Sequence, residues 1–487
     1  MFLNDILSLI ADNVLTLVLA SGIIVLLCYF QFFRDPPNYP PGPFRWPIFG
    51  NLFLFGGGKD FYAVLKDIQK KYGDVFRIKI GQSTMILVFG HKNLSKCMVD
   101  NGDNVKIRPD WLFNPKVLMK QKGVLWANGE KWEKLSKLIR QSQMNKNVLL
   151  NMERQLNEEL EELCKCFSAD IAVNPLDHFY NINLNIVSSL VFGKRFSYDD
   201  PDFKHMSKRL KFIMDNMKNR KEPVFSWIAY FTRSEVANLV AKIEKFHAFV
   251  KQRLDDHKAS YNSAKPRDLL DMYIDESRKK SDESVLEIDL LQSVLDLFIG
   301  GYESYTIAVY TCVFYLVKYP DVQSKCRLEM KQNIHGDRSV TMDDRDKLPY
   351  VTSTIKEILR ISKPVSLSIQ RTNTESLAIG QYVIPPKSVI VFELMDPQLD
   401  SSLWDKPHDF NPDRWTKQHT EGYIPYGTGP RQCVATTTAD MSLFLLLSNM
   451  MKRFELKTED AESLTTERRW NGIALVPKPF KLFLKPV

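Results

Sequence analysis

The chain has 487 residues, 44% of them hydrophobic and 25% charged, which reads as a globular protein with ample apolar mass for a large core. Its net charge of +8 fits contact with an anionic membrane surface or an acidic partner protein, and is too diffuse to argue nucleic-acid binding. Seven scattered cysteines argue against a disulfide-built secreted domain, and the pair Cys164 and Cys166 lacks the second ligand pair of a metal site.

Residues 14–33 (VLTLVLASGIIVLLCYFQFF) form a mostly apolar run without a charge, long enough to cross a bilayer. Asp5 and Asp12 precede it and Arg34 follows it, whereas a cleaved signal peptide starts basic and carries a shorter apolar stretch. The positive-inside rule then places the N-terminus in the lumen and the remaining chain in the cytoplasm. Residues 1–34 are expected to form a single-pass transmembrane anchor. Residues 35–50 are Pro-rich and predict a stiff, extended hinge, because proline fixes φ and removes a donor. Residues 51–487 read as one unit without internal repeats.

Within that unit the spacing predicts a helix over 60–72, with Asp60 as N-cap and Gly73 as its end. A hairpin follows over 75–80 and 84–89. Helical patterns cover 147–167, 202–217, 235–261 and 289–317, with polar stretches at 258–267 and 275–283 read as loops or exposed helix ends. Strands are expected at 377–383, 388–392 and 472–484. The result is mostly α with a small β region.

Four stretches carry chemistry. Residues 297–306 (LFIGGYESYT) set Gly300 and Gly301 inside the longest helical pattern, where each costs about 1 kcal/mol against alanine. A flat ligand passing close to the backbone would explain them, and so would tight helix packing. Residues 355–360 (IKEILR) place Glu357 and Arg360 on one helix face, and 412–415 (PDRW) add Arg414. Residues 426–435 (YGTGPRQCVA) put Cys433 behind a loop of two glycines and a proline, with Arg431 two residues earlier and an apolar helical pattern at 441–451 after it. A helix N-terminus favours the thiolate and so a soft anionic metal ligand, but a buried cysteine after an ordinary loop reads equally well from chemistry alone.

The spacing F/Y-G-x-G-x-R-x-C, together with E-x-x-R, PDRW and the glycine-containing helix in that order, resembles the cytochrome P450 family along essentially the whole chain. In that family a cysteine thiolate holds haem iron. The resemblance implies the cytochrome P450 fold, haem b as cofactor and Cys433 as iron ligand. It further implies Arg108, Trp132, Arg371 and Arg431 near the haem propionates, and Gly300 and Gly301 beside the distal haem face. Glu303 and Ser304 would form an acid–hydroxyl proton relay with Thr306 as fallback, and Glu357, Arg360 and Arg414 a charged lock behind the cysteine loop. Phe298, Tyr302 and residues 363–370 would border a lipophilic pocket, and the basic residues Lys131, Lys134, Lys137 and Arg140 would help dock an acidic electron donor. The implied reaction inserts one oxygen atom of O2 into a lipophilic substrate. Electrons would come from NADPH through NADPH–cytochrome P450 reductase, with cytochrome b5 as a further partner, at the endoplasmic reticulum membrane.

The chain departs from the family pattern at several points. Ala435 replaces a usual glycine, Ser136 replaces the arginine of W-x-x-x-R after Trp132, Thr436, Thr437 and Thr438 replace a partly apolar trio, and Asp440 stands where arginine is common. These departures mean either a pocket retuned for one substrate or a haem-binding protein with little turnover. The stretches RPDW, FIGG and PKPF resemble the branch containing vertebrate drug-metabolising members, and also the insect ecdysteroid-forming Spook type. Broad xenobiotic or fatty-acid hydroxylation and sterol or ecdysteroid-precursor oxidation are the two substrate expectations.

Overall fold

The computed structural model describes residues 13, 14, 16, 18–23, 25, 35–166, 173–219, 224–279, 286–416 and 421–487. The expected span at 14–33 lies largely outside the described residues, and among the described residues no helix is long and apolar enough to cross a membrane. The main helices are α1 (Phe61–Tyr72), α2 (Gly129–Met144), α3 (Lys146–Cys166), α4 (Leu176–Phe192), α5 (Pro201–Asn219), α6 (Arg233–Ser260), α7 (Leu269–Lys279), α8 (Glu287–Lys318), α9 (Pro320–Asn333), α10 (Pro349–Ser362) and α11 (Thr436–Arg453). The strands are short: β1 (Val75–Ile80), β2 (Ser83–Val88), β3 (Arg371–Thr372), β4 (Leu377–Ile379), β5 (Tyr382–Ile384), β6 (Val389–Phe392), β7 (Phe454–Lys457), β8 (Arg468–Trp470), β9 (Leu475–Pro477) and β10 (Phe483–Pro486).

α8 organises the rest. A helix that is apolar all round must be buried, and α8 is buried along almost its full length. Its first half, from Leu290 to Tyr302, packs into a core built with α2, α4, α5, α6 and α7. Its second half, from Tyr305 to Val317, packs into another core built with α3, α4, α9, α10 and α11. Gly300 and Gly301 sit where the two cores meet.

The β1–β2 hairpin is antiparallel, β2 runs parallel to β6, and β3 pairs antiparallel with β6, giving the order β1-β2-β6-β3. β3 thereby carries Arg371 into the interior, 3% exposed. Asp60 caps α1 as expected, accepting from the Ala63 amide at 2.9 Å, while Gly73 closes the helix at φ +88.

Several elements differ from expectation for local reasons. The stretch 377–383 is not one strand but the β4–β5 hairpin, because Gly380 takes φ +58 and reverses the chain. α4 carries no clear one-sided pattern, since it buries nearly every residue from Phe179 to Phe192. α6 ends at Ser260 and α7 starts at Leu269, so the polar stretch 258–267 is mostly loop as expected, while 275–279 is a helix end and 280–283 lies outside the described residues. Residues 35–50 are more than a free spacer. Asp35 bonds Arg77 at 2.6 Å and Arg45 at 3.0 Å, the Arg77 amide donates to Pro41 O at 2.8 Å, and a Cβ on Gly42 would fall 2.1 Å from Arg77 O.

Candidate active site

The loop before Cys433 is folded by its own backbone. Gly427 N donates to Ile424 O (2.9 Å), Gln432 N to Gly429 O (3.0 Å) and Cys433 N to Tyr426 O (2.9 Å). Gly427 and Gly429 both take left-handed φ, +76 and +73, and a Cβ on Gly429 would fall 1.9 Å from Met98 O. Only glycine satisfies both demands at position 429. Two residues after the cysteine, Ala435 is the N-cap of α11. Cys433 keeps accessible surface. Burial pushes its thiol up, while the Ala435 amide, the Thr436 hydroxyl and the charges of Arg140 and Lys363 pull it back.

Three side chains hold this loop: Gln143, missed in the sequence, and Arg140 and Lys363, expected in other roles. Gln143, buried on α2, donates to Val434 O at 2.7 Å and accepts from Thr438 N at 3.0 Å, tying α2 to the start of α11. Arg140, one turn beyond Ser136, donates to Gln432 O at 3.2 Å. Lys363, at the end of α10, donates to Ile424 O at 2.7 Å and Pro425 O at 2.6 Å. Lys363 was expected to border a lipophilic pocket but points into the loop instead. Its only sequence signal was a lone cation in an otherwise apolar stretch.

Arg108, Arg371 and Arg431 are brought together, each at most 9% exposed. Burial pulls Arg431 down to about 9, with Arg371 adding to the effect, and burial pulls Arg371 down to about 10. Burial lowers Arg108 as well, as do Arg431 and Arg371, and Asp296 opposes them. Asp296, missed in the sequence, accepts from Leu125 N at 2.8 Å and is pushed up to about 7 by burial. Three guanidiniums with a single partly protonated acid form a site that favours anions. Arg108 donates to Leu125 O, Ile369 O and Gln370 O, and Arg431 to Lys106 O and Ala127 O, with Arg431 lying 4.0 Å over the Trp132 ring. Arg371 differs: its Nε and Nη1 are buried without a protein partner. These unpaired N–H groups, close to Arg431 two residues before Cys433, fit the carboxylate arms of the implied haem.

The glycine pair on α8 splits the two readings of the sequence. A Cβ on Gly300 would meet nothing within 4 Å, so this face is open, and Ser304 one turn on shares it, its hydroxyl donating to Gly300 O. A Cβ on Gly301 would fall 3.3 Å from Val187 and 3.4 Å from Asn183, so that glycine serves helix packing against α4. Thr306, expected as a fallback hydroxyl, faces α4 as well, 3.4 Å from Asn183 Nδ2 and fully buried. It lies away from Ser304, because three- and four-residue spacing defines a helix face and Thr306 is two residues on. Phe298 and Tyr302, expected at the pocket, also point elsewhere: Phe298 packs on Phe192 and Phe246, and Tyr302 stacks on Tyr180. Glu303 is buried in a polar cluster with Lys218 and with Asn471, whose Nδ2 donates to it at 2.9 Å.

The Glu357 carboxylate accepts from Arg360 Nε and Nη2 (both 2.8 Å), Arg414 Nε (2.8 Å), Trp415 Nε1 (3.1 Å) and Asn411 N (3.0 Å). Both Glu357 and Arg360 are fully buried. On the basic helix α2, Lys137 is exposed, whereas Lys131 turns to the buried Asp289 at 3.2 Å.

The family model described as "Cytochrome P450" matches residues 40–484. The chain is 28% identical over 485 residues to "Cytochrome P450 2J1" of Oryctolagus cuniculus, covering 97% of this chain and 96% of that protein. It is 27% identical over 488 residues to "Cytochrome P450 2J2" of Homo sapiens, with 97% and 96% covered. With "Cytochrome P450 2U1" of Bos taurus it shares 29% over 513 residues, covering 96% and 93%.

Proposed function

The chain belongs to the cytochrome P450 family, and from that membership we propose that Cys433 ligates haem iron and that the protein oxidises a lipophilic substrate at the endoplasmic reticulum membrane. As a member it is a haem-thiolate monooxygenase with haem b as cofactor. The single observation that carries the site assignment is the accessible Cys433 next to a loop shaped by Gly427 and Gly429, together with the unpaired N–H groups of Arg371.

Bound haem supplies activation of O2, with one oxygen atom going to substrate and the other leaving as water as two electrons and two protons arrive. The chain's part is to hold, orient and meter. Arg371 would hold a propionate with its free N–H groups, and Arg108 and Arg431 would add positive charge around it. Gly300 leaves room beside α8. Ser304 Oγ, on the same face, holds the proton nearest that room, while the carboxylate of Glu303, the expected acid of the relay, is held by Lys218 and Asn471 on the neighbouring flank. The Glu357–Arg360–Arg414 network keeps α10 fixed behind the cysteine loop.

Electrons would come from NADPH through NADPH–cytochrome P450 reductase, with cytochrome b5 as a further donor, docking where α2 exposes Lys137. Membrane contact is supported by an exposed aromatic surface shortly after the apolar run 14–33. Phe44, Trp46, Phe49 and Phe53 are exposed there, and Phe49 meets Phe225 at 6.1 Å, extending the surface to Trp227, Tyr230 and Phe231. Such a patch is far better suited to lipid than to water. The substrate is a sterol or ecdysteroid precursor, or a xenobiotic or fatty acid.

A reduced-minus-oxidised spectrum under carbon monoxide tests the assignment. A Soret band far to the red of histidine-ligated haem is expected, and Cys433→Ala should abolish it. Haem present without that band, or a band that survives the substitution, would sink the ligand assignment. NADPH consumption with a reductase, measured against sterols and then simple lipophiles, separates the substrate classes.

A further inference from the structure

A lysine amine in a protein interior is expensive unless an anion balances it. Lys363 is 1% exposed, yet its hydrogen bonds go to the neutral carbonyls of Ile424 and Pro425. Glu393, whose charge Lys363 also feels, is already engaged by Tyr62 Oη at 2.6 Å and by the amides of Met395 (2.9 Å) and Asp396 (2.8 Å). At the other end of the same loop, Arg140 donates to Gln432 O and, at 3.4 Å, to Ser136 Oγ. It too bonds neutral acceptors there. The two cations come from different helices, α10 and α2, and grip the first and last parts of one ten-residue loop. Between their attachment points the Tyr426 carbonyl receives the Cys433 amide at 2.9 Å.

We propose that Lys363 and Arg140 are a pair of positioning cations that clamp the cysteine loop by its carbonyls and, through their charge, draw electron density from the Cys433 sulfur, raising the reduction potential of the iron it holds. This rests on Cys433 being the ligand. Reduction adds one negative charge to the iron–thiolate unit, so a fixed positive charge nearby favours the reduced state. Burial pulls the Lys363 ammonium down to about 7, opposed first by Glu393 and then by Cys433, and both Arg140 and Lys363 pull the Cys433 thiol down against its burial. Ser136 removes a cation from α2 at the place where the family carries one, and Arg140 supplies one a turn further along, bonded to the carbonyl of Gln432 next to the cysteine. The clamp thus ties two cations, neither hydrogen-bonded to a carboxylate among the described residues, to a property of the metal.

The test is a dye-mediated potentiometric titration of the full-length, haem-loaded protein in membranes or detergent, without reductase. Lys363→Gln keeps a donor for the loop carbonyls and removes the charge. Arg140→Gln removes the other charge at a half-buried position. Each should lower the equilibrium constant for iron reduction several-fold, the double variant should lower it further, and the red-shifted carbon monoxide band should persist. Lys137→Gln, an exposed cation on the same helix as Arg140, should leave the potential where it is. An unchanged potential in both single variants overturns the proposal, as does an equal shift in Lys137→Gln. Should Lys363→Gln fail to retain haem, Arg140→Gln decides alone, and an unchanged potential there overturns the proposal. Failure of the ligand assignment is distinct, because it removes the red-shifted band from the unaltered protein.

Discussion

The Lys218 ammonium at the end of α5 bonds the Glu303 carboxylate on α8, in a pair whose side chains are only 15% and 6% exposed. Asn471, between β8 and β9, bonds the other oxygen of the same carboxylate. One acid therefore joins three elements that are far apart in sequence. Lys218→Met leaves that acid buried with half its partners, and should destabilise the fold toward the lower end of the ~3–5 kcal/mol typical of a broken buried pair. Denaturant unfolding reads it, and the double change Lys218→Met with Glu303→Leu should recover much of the loss.

Gly300 and Gly301 should respond in opposite directions to alanine. Gly300→Ala adds a methyl to open space on a helix and should stabilise the protein by about 1 kcal/mol. Gly301→Ala drives a methyl against Val187 and Asn183 of α4, and the strain should cancel or exceed that gain. Thermal unfolding of the two variants side by side is the measurement, and equal midpoints would contradict the division of roles.

Ser304→Ala should uncouple NADPH oxidation from product formation while leaving the carbon monoxide band in place, because the hydroxyl lies on the open face of α8 beside Gly300. Thr306→Val should have little effect on coupling, since Thr306 faces Asn183. Product yield per NADPH consumed distinguishes the two.

Glu357→Ala would strand Arg360, which is fully buried, and unpair Arg414. A loss of about 3–5 kcal/mol or more is expected, because both arginines depend on one carboxylate. Haem content after purification should fall together with folded yield.

Asp296 sets a pH dependence. Burial raises its carboxyl from 3.8 to about 7, so the folded state binds this proton more tightly than the unfolded chain. The stabilisation it gives is full below about pH 4 and is lost as pH rises through about 7. The unfolding midpoint should carry a downward contribution across that window, and Asp296→Asn should flatten it. A slope unchanged by the substitution would show that Asp296 is not its source.

Capping and alternation made α1 and the β1–β2 hairpin legible and length made α8 legible, whereas the one-sided helices α2 and α7 were not among the expected helical patterns. Asp60 and Gly73 bound α1 by capping chemistry, and the β1–β2 hairpin alternates visibly. α4 is buried on every side and so offers no stripe to read. Glu357, Arg360 and Arg414 could be grouped because two lie three residues apart on one helix and the third lies in a short recognisable stretch. Lys363, Gln143 and Asp296 could not, since each acts through a backbone group or charge brought close only by the fold. Phe298 and Tyr302 were placed at the pocket by register, but the direction of a side chain depends on a single 100° step along the helix, and here it turns both toward neighbouring helices.

Because α8 is shared lengthwise by two cores, the molecule is partitioned for sequence drift. Substitutions among α5, α6 and the first half of α8 alter one core, while α9, α10 and α11 with the second half keep their own packing. A lineage could therefore remodel one half of a single helix and its neighbours and inherit the other half, with its charged lock, nearly untouched.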